Sequence, residues 1–203
     1  MNPLKASKIS REAHMQFDHL EIVRIAIEAG VSIMDIYESS GQIEVHSKDD
    51  DSPLTKADIA AHKIIIRGLA TIDPEVPVVS EEGRVGDPKQ SELAWLVDPL
   101  DGTKEFIKRN GMFTVNIALM KRMNASWKPI FGVVHAPVNR TTWYGGVDVP
   151  ATKITDAETS EISVRKQTNA QTRLVASGSH RAELDEKFAK ELGEHELVRM
   201  GSS

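Results

Sequence analysis

The stretch WLVDPLDGTKEF, from Trp95 to Phe106, sets two carboxylates, Asp98 and Asp101, on either side of a Pro99-Leu100 break. Gly102 and Thr103 follow at once. Asp, Pro and Gly are all turn formers, so one reading is a surface turn. The other reading is chemical. Ionised carboxylates at the end of an apolar run repel each other and resist desolvation unless a cation holds them. Two carboxylates and the Leu100 carbonyl form the oxygen set that suits Mg²⁺, an ion that keeps some of its water and meets substrate phosphate. Gly102 and Thr103 would then open a helix-like segment, TKEFIKR, whose unpaired first-turn amides can cradle a phosphate. A metal pair beside an amide cradle is equipment for in-line phosphoryl displacement.

Other residues extend this set, each with an ordinary alternative. Glu81 and Glu82 follow an apolar run in VVSEEG. Alone they read as solvated loop acids; beside Asp98, a strand-end glutamate could supply the next metal ligand. Asp58 closes TKAD, with Thr55 three residues before it, which is capping-box spacing. It could instead accept a hydrogen bond from Thr103 and let that hydroxyl polarise a water. From spacing alone the capping role is preferred. Lys104, Lys108 and Arg109 make either a solvated basic helix face or a grip on a second anionic group. The seven histidines show no metal-binding spacing. There is no G-x-S-x-G and no P-loop motif, which sets aside a serine hydrolase and a P-loop nucleotidase.

The elements that must position these residues follow from periodicity. Leu20, Val23, Ile27 and Met34 recur at helical spacing, predicting a helix from about Ser10 to Tyr37. SSGQIEVHSKDDDSP reads as a strand edge and an exposed loop. A second helix runs from about Lys56 to Ala70, with Thr55 as its N-cap. Short apolar or alternating runs then predict strands: Val76–Ser80, Leu93–Asp98, FTVNIALM, PIFGVVHAP and TTWYGG, the last two joined by the turn PVNR. Helices followed by a run of strands suggest an α+β layered domain with a largely antiparallel sheet. The polar stretch Val147–Ser160 predicts a boundary, giving an N-terminal α+β domain over residues 1–147, which carries the site, and a C-terminal α/β piece over 148–203. That piece reads as strand, helix (Arg181–Leu192) and strand, too short to cover its own sheet faces.

Composition bounds the rest. The 203 residues are 40% hydrophobic and 27% charged, without a run long and apolar enough for a membrane span. No cysteine is present, which excludes disulfides, thiolate metal sites and cysteine nucleophiles. The N-terminal segment has no apolar core of a secretory signal, so a cytoplasmic location is the expectation. A net charge of −5 argues against general nucleic-acid binding. It leaves room for an anionic small molecule, because a bound divalent cation reverses the local field.

Taken together, SPLTKAD, PVVSEE and DPLDGT resemble the inositol monophosphatase superfamily of Mg²⁺-dependent, lithium-sensitive phosphatases. The longer run WLVDPLDGTKEFIKRNGMFTVNIAL, with GVVHAPV, SGSH and MGSS, is similar to its 3′(2′),5′-bisphosphate nucleotidase branch. The resemblance implies a layered αβαβα sandwich and a role in sulfur metabolism, hydrolysing 3′-phosphoadenosine 5′-phosphate to AMP and phosphate. It implies two or three Mg²⁺ ions, with Glu81, Asp98 and the Leu100 carbonyl at one and Asp98 and Asp101 at a second. Thr103 with Asp58, helped by Glu81, would activate water. Glu81, Leu100, Asp101, Gly102 and Thr103 would contact substrate, the amides of the last two holding the scissile phosphate. The segment around Lys48 would be a loop that orders with a further metal, and Ser177, His180 and Gly201 would lie near the nucleotide. A peripheral position at the cytoplasmic face of the inner membrane is a second expectation for location. No oligomeric state is implied.

Two departures accompany the resemblance. Met112 stands where this branch usually has an acid. Family members also continue past MGSS to a lysine and a WD segment whose aspartate completes the second metal site, so a second domain cut short, with weak second-metal binding and poor turnover, is expected. Three rival readings remain at this stage. One is an inositol or sugar monophosphatase. Another is an aspartyl-phosphate phosphatase, whose paired aspartates are separated by one residue rather than two. The third is an inactive relative that binds nucleotide or Mg²⁺.

Overall fold

The computed structural model describes residues 18–39, 45–47, 53–164, 172–177 and 183–200. Helix α1 spans His19–Tyr37. Asp18 is extended, and its carboxylate accepts from the Leu20 amide at 3.0 Å, so this side chain caps an otherwise unpaired amide. The cap corrects the expected start: α1 begins at His19, and residues 10–17 lie outside the described residues. Strand β1 (Val45–Ser47) pairs antiparallel with β2 (Pro53–Thr55), which runs straight into α2 (Lys56–Ile72). Lys48 lies outside the described residues.

The main sheet has eight strands: β3 (Val78–Ser80), β4 (Gly83–Val85), β5 (Leu93–Asp101), β6 (Thr114–Met123), β7 (Ser126–Ala136), β8 (Thr141–Gly146), β9 (Val149–Ile154) and β10 (Thr159–Glu161). Across the sheet they run β10-β9-β8-β7-β6-β5-β3-β4, and every neighbouring pair is antiparallel except β3–β5. The sheet does not stop at the boundary expected at residue 147. That position falls in the β8–β9 turn, and the polar stretch beyond it supplies the last two strands on that side, β9 and the edge strand β10. Beyond it, β11 (Thr172–Ser177) and β12 (His195–Met200) form a separate parallel pair, with α4 (Glu183–Glu191) between them in sequence. The α+β class and the predicted order of helices and strands both hold.

Alternation decides which face is which. Trp95 and Val97 on β5, Val115, Ile117 and Leu119 on β6, and Phe131 and Val133 on β7 are all at most 4% exposed. They meet Ile22, Ala26 and Ile33 of α1 and Ala61, Ile65 and Leu69 of α2 in one core. Their neighbours in sequence face the other way. Leu96 is 49% exposed and Val134 39%, and with Ala118 and Gly132 they floor a hollow of about 500 Å³ whose wall includes Glu81, Asp98 and Asn116. The carboxylates therefore stand on the face that the helices leave open.

Gly30 of α1 shows how closely the helix layer sits on the sheet. A β-carbon there would lie 2.5 Å from the His135 ring and 3.2 Å from Pro137. His135 is 5% exposed, bonds Thr142 Oγ1 through Nδ1 at 2.8 Å, and is held neutral by burial, which lowers its pKa to about 4. Replacing a mid-helix glycine by alanine ordinarily gains roughly 0.5–1 kcal/mol. Forcing a carbon into a packed ring costs about 1–3 kcal/mol, so the clash wins. Gly30→Ala is expected to lower the melting temperature by about 2–4 °C per kcal/mol lost, and a rise in a thermal melt would show that the layer can yield.

Candidate active site

Asp98 and Asp101 are three residues apart, which in a regular strand puts them on opposite faces. Here they share one. Asp98 pairs with Asn116 and Asp101 with Thr114, and the register shifts between them. Two β5 residues, Pro99 and Leu100, therefore stand opposite the single residue Val115, which is a β-bulge. Pro99 has no amide to lose from the ladder and fits there. The expected strand end at Asp98 is thus corrected: pairing continues to Asp101, and the break is a phase change. Leu100, 1% exposed, anchors the bulge in the core.

Gly102 follows with φ 96° and ψ 37°. A β-carbon there would sit 2.8 Å from the Met112 carbonyl oxygen, and this left-handed conformation favours glycine. It opens the short helix α3 (Thr103–Ile107), so the amides following Gly102 face out of a helix start. Beyond α3, the Arg109 guanidinium donates to the carbonyls of Tyr37 and Ser39 and lies over the Tyr37 ring. Lys108 pairs with the buried Glu105 at 3.7 Å. Arg109 thereby ties this loop to the end of α1. Of the three basic residues read as a solvated face or an anion grip, Lys108 and Arg109 both have partners within the protein.

Asp58 makes both of the contacts considered for it. Its Oδ2 accepts from the Thr55 amide at 2.8 Å and the Thr55 hydroxyl at 2.6 Å, completing the capping box of α2. Its Oδ1 lies 3.3 Å from Thr103 Oγ1, across 45 residues of sequence. Thr103 Oγ1 is also 3.2 Å from the Leu100 carbonyl oxygen. One hydroxyl proton cannot serve both acceptors fully, so it is shared between a carboxylate and a carbonyl. Asp58 is 1% exposed and held by the backbone, so its second oxygen is aimed rather than mobile.

Glu81 follows β3, and its amide donates to Val97 O at 3.1 Å. Its carboxylate lies beside that of Asp98. Burial first, then the charges of Glu81 and Asp101, pushes the Asp98 pKa up to about 7; the Leu100 amide, 3.2 Å from Asp98 Oδ1, opposes the shift. A carboxyl set that binds a proton this firmly has the chemistry of a cation site. Among the described residues, no three acidic or imidazole side chains gather as a ready metal cage. The acids meet as pairs on Asp98, so a Mg²⁺ set here needs the Leu100 carbonyl, water and substrate to complete it.

Sequence reasoning passed over Asn116. Its Nδ2 donates to Asp101 Oδ2 at 3.2 Å, and its Oδ1 accepts from Thr114 Oγ1 at 3.1 Å. It orients Asp101 from the neighbouring strand. The signal was a polar residue on the same β6 face as Thr114, opposite Asp98, and it needs the register to be seen. Met112 is 42% exposed, with its amide on Asn110 Oδ1. Ser177 ends β11, while His180 and Gly201 lie outside the described residues. No helix among the described residues is long and apolar enough to cross a membrane.

The folded chain holds the Asp98 proton more tightly than the unfolded chain, whose ordinary value is 3.8. The stability this gives is fully present below about pH 4 and is lost as pH rises through about 7. In chelator, Asp98→Asn is therefore expected to melt higher than the parent at pH 8, by about 2–4 °C for each kcal/mol of repulsion relieved, and by a clearly smaller margin at pH 5. Equal melting temperatures at pH 8 would show that Asp98 carries no such burden.

Known proteins match this chain along most of its length. The profile of the inositol monophosphatase family covers residues 17–203. The 3′(2′),5′-bisphosphate nucleotidase CysQ of Salmonella typhimurium is 42% identical over 193 residues, spanning 90% of this chain and 72% of that protein. The protein of the same name from Escherichia coli K12 is 46% identical over 190 residues, with the same coverage. The crystal structure of CysQ from Bacteroides thetaiotaomicron superposes with a TM-score of 0.75 at 32% identity, over 93% of this chain and 74% of that one. Fold, motif positions and these similarities agree: the chain belongs to the inositol monophosphatase family and is of the CysQ type.

Proposed function

We propose that the protein is a Mg²⁺-dependent 3′(2′),5′-bisphosphate nucleotidase that cleaves 3′-phosphoadenosine 5′-phosphate to AMP and inorganic phosphate. The observation that carries the chemistry is the Thr103 hydroxyl, set between Asp58 Oδ1 and the Leu100 carbonyl beside paired acids. The bisphosphate substrate is supported by the similarity to the CysQ nucleotidases.

In this reading Glu81, Asp98, Asp101 and the Leu100 carbonyl hold the cation, in one site through the first two and the carbonyl and in a second through the two aspartates. Bound Mg²⁺ supplies Lewis acidity, making water more acidic and offsetting phosphate charge. Thr103 passes its proton's share toward Asp58 Oδ1, and its oxygen accepts a hydrogen bond from the attacking water. Asp58 Oδ1 is the proton acceptor at the end of that relay, and Glu81 is the second acceptor for the water. The amides of Gly102 and Thr103 hold the scissile phosphate. The water oxygen bonds to phosphorus as the 3′ oxygen–phosphorus bond breaks, the 3′ oxygen takes a proton from solvent water to give the ribose hydroxyl, and the proton held at Asp58 returns to solvent.

The test is phosphate release from 3′-phosphoadenosine 5′-phosphate and from inositol 1-phosphate, side by side. The nucleotide is expected to win in kcat/KM by about a hundredfold or more, with activity abolished by EDTA. Asp58→Asn and Thr103→Ala should each lower kcat by about 10²–10⁴ with little change in KM. Equal turnover of the two substrates would refute the specificity, and EDTA-resistant release would refute the metal chemistry.

A further inference from the structure

We infer that His62 is a positioning residue for Glu81, acting through the Ser80 hydroxyl to fix the turn that presents this acid. The inference rests on the proposal that Glu81 holds a cation. His62 lies one helical turn beyond Asp58 on α2, so the two share a face of that helix. Asp58 reaches Thr103 and, through it, the Leu100 carbonyl. His62 reaches the other side of the site: its Nδ1 is 3.0 Å from Ser80 Oγ.

Ser80 is 8% exposed and ends β3, immediately before Glu81. Its Oγ also accepts from the Glu82 amide at 3.3 Å. Glu81 is therefore held on both sides, by its own amide on Val97 O at 3.1 Å and by the next amide on Ser80 Oγ. The Glu82 amide uses one lone pair of Ser80 Oγ, which leaves the hydroxyl both a proton and a second lone pair for His62 Nδ1, so the link holds in either imidazole tautomer. Burial, then Lys63, keeps the His62 pKa below its ordinary value, so the ring adds no cation beside the carboxylates near neutral pH. One rigid helix thus anchors both the bulge and the β3 turn, and it fixes the spacing between Glu81 and Leu100 that a shared ion would need.

The test is Mg²⁺ titration by calorimetry on the 203-residue chain, with no substrate present. His62→Ala and Ser80→Ala should each weaken Mg²⁺ binding about tenfold or more. The double variant should bind no more weakly than either single one, because both remove the same link. His62→Asn puts an amide oxygen where Nδ1 stood and should bind close to the parent. His62→Ala with parental Mg²⁺ affinity, even with a lower melting temperature, would reduce His62 to a packing residue and overturn the inference alone, as would additive losses in the double variant. A parent that binds no Mg²⁺ would instead overturn the proposed cation site, and this inference with it.

Discussion

Side chains on a β-strand alternate, so carboxylates three positions apart point away from each other. The site depends on defeating that parity. The extra residue in β5, opposite Val115, shifts the phase by one and brings Asp98 and Asp101 to the same face. Proline tolerates the unpaired position, and Leu100 pins it by burying its side chain on the helix side. Pinned there, Leu100 offers its carbonyl to Thr103 at 3.2 Å. The bulge thus fixes three oxygen groups at once, and the elements around it serve to hold it still.

Electrostatics explains why so much structure surrounds so few atoms. Burial, and then the neighbouring charges of Glu81 and Asp101, raises the cost of ionising Asp98, so a loose loop would let these acids drift apart. Each is tethered instead. The Glu81 backbone is tied to Val97, Asp98 accepts from the Leu100 amide, and Asp101 accepts from Asn116, which Thr114 orients in turn. Arg109 fastens the following loop to the end of α1. Such preorganisation sets charge in place before any ligand arrives, which is where electrostatic catalysis draws most of its effect.

The chemistry-bearing residues were the most legible part of the sequence, because turn formers and acids at the end of an apolar run have few other reasons to coincide. The order of helices and strands was legible for the same kind of reason: Val115, Ile117 and Leu119 alternate where Leu20, Val23 and Ile27 do not. What escaped was whatever depends on register or on contacts distant in the chain. Pro99 read as the end of a strand because a bulge shows only against its partner strand. Asn116 looked like any polar residue on an open face. His62 lacked metal spacing, and its partner Ser80 is 18 residues away. The strands β9 and β10 were hidden by polarity, since strands at and beside a sheet edge carry little apolar signal.

Asp58 was weighed as either a cap or a partner of Thr103, and its two oxygens divide those contacts: Oδ2 takes Thr55 and Oδ1 takes Thr103. Helix ends are the first parts of a helix to fray. Opening the first turn of α2 would release Oδ2 from Thr55 and, in the same motion, swing Oδ1 away from Thr103. A small local opening would thereby undo the Asp58–Thr103 contact without waiting for the core to melt. The same covalent economy leaves no substitution at this position that spares one role alone. A change of side chain here would disturb the helix cap and the Thr103 contact together.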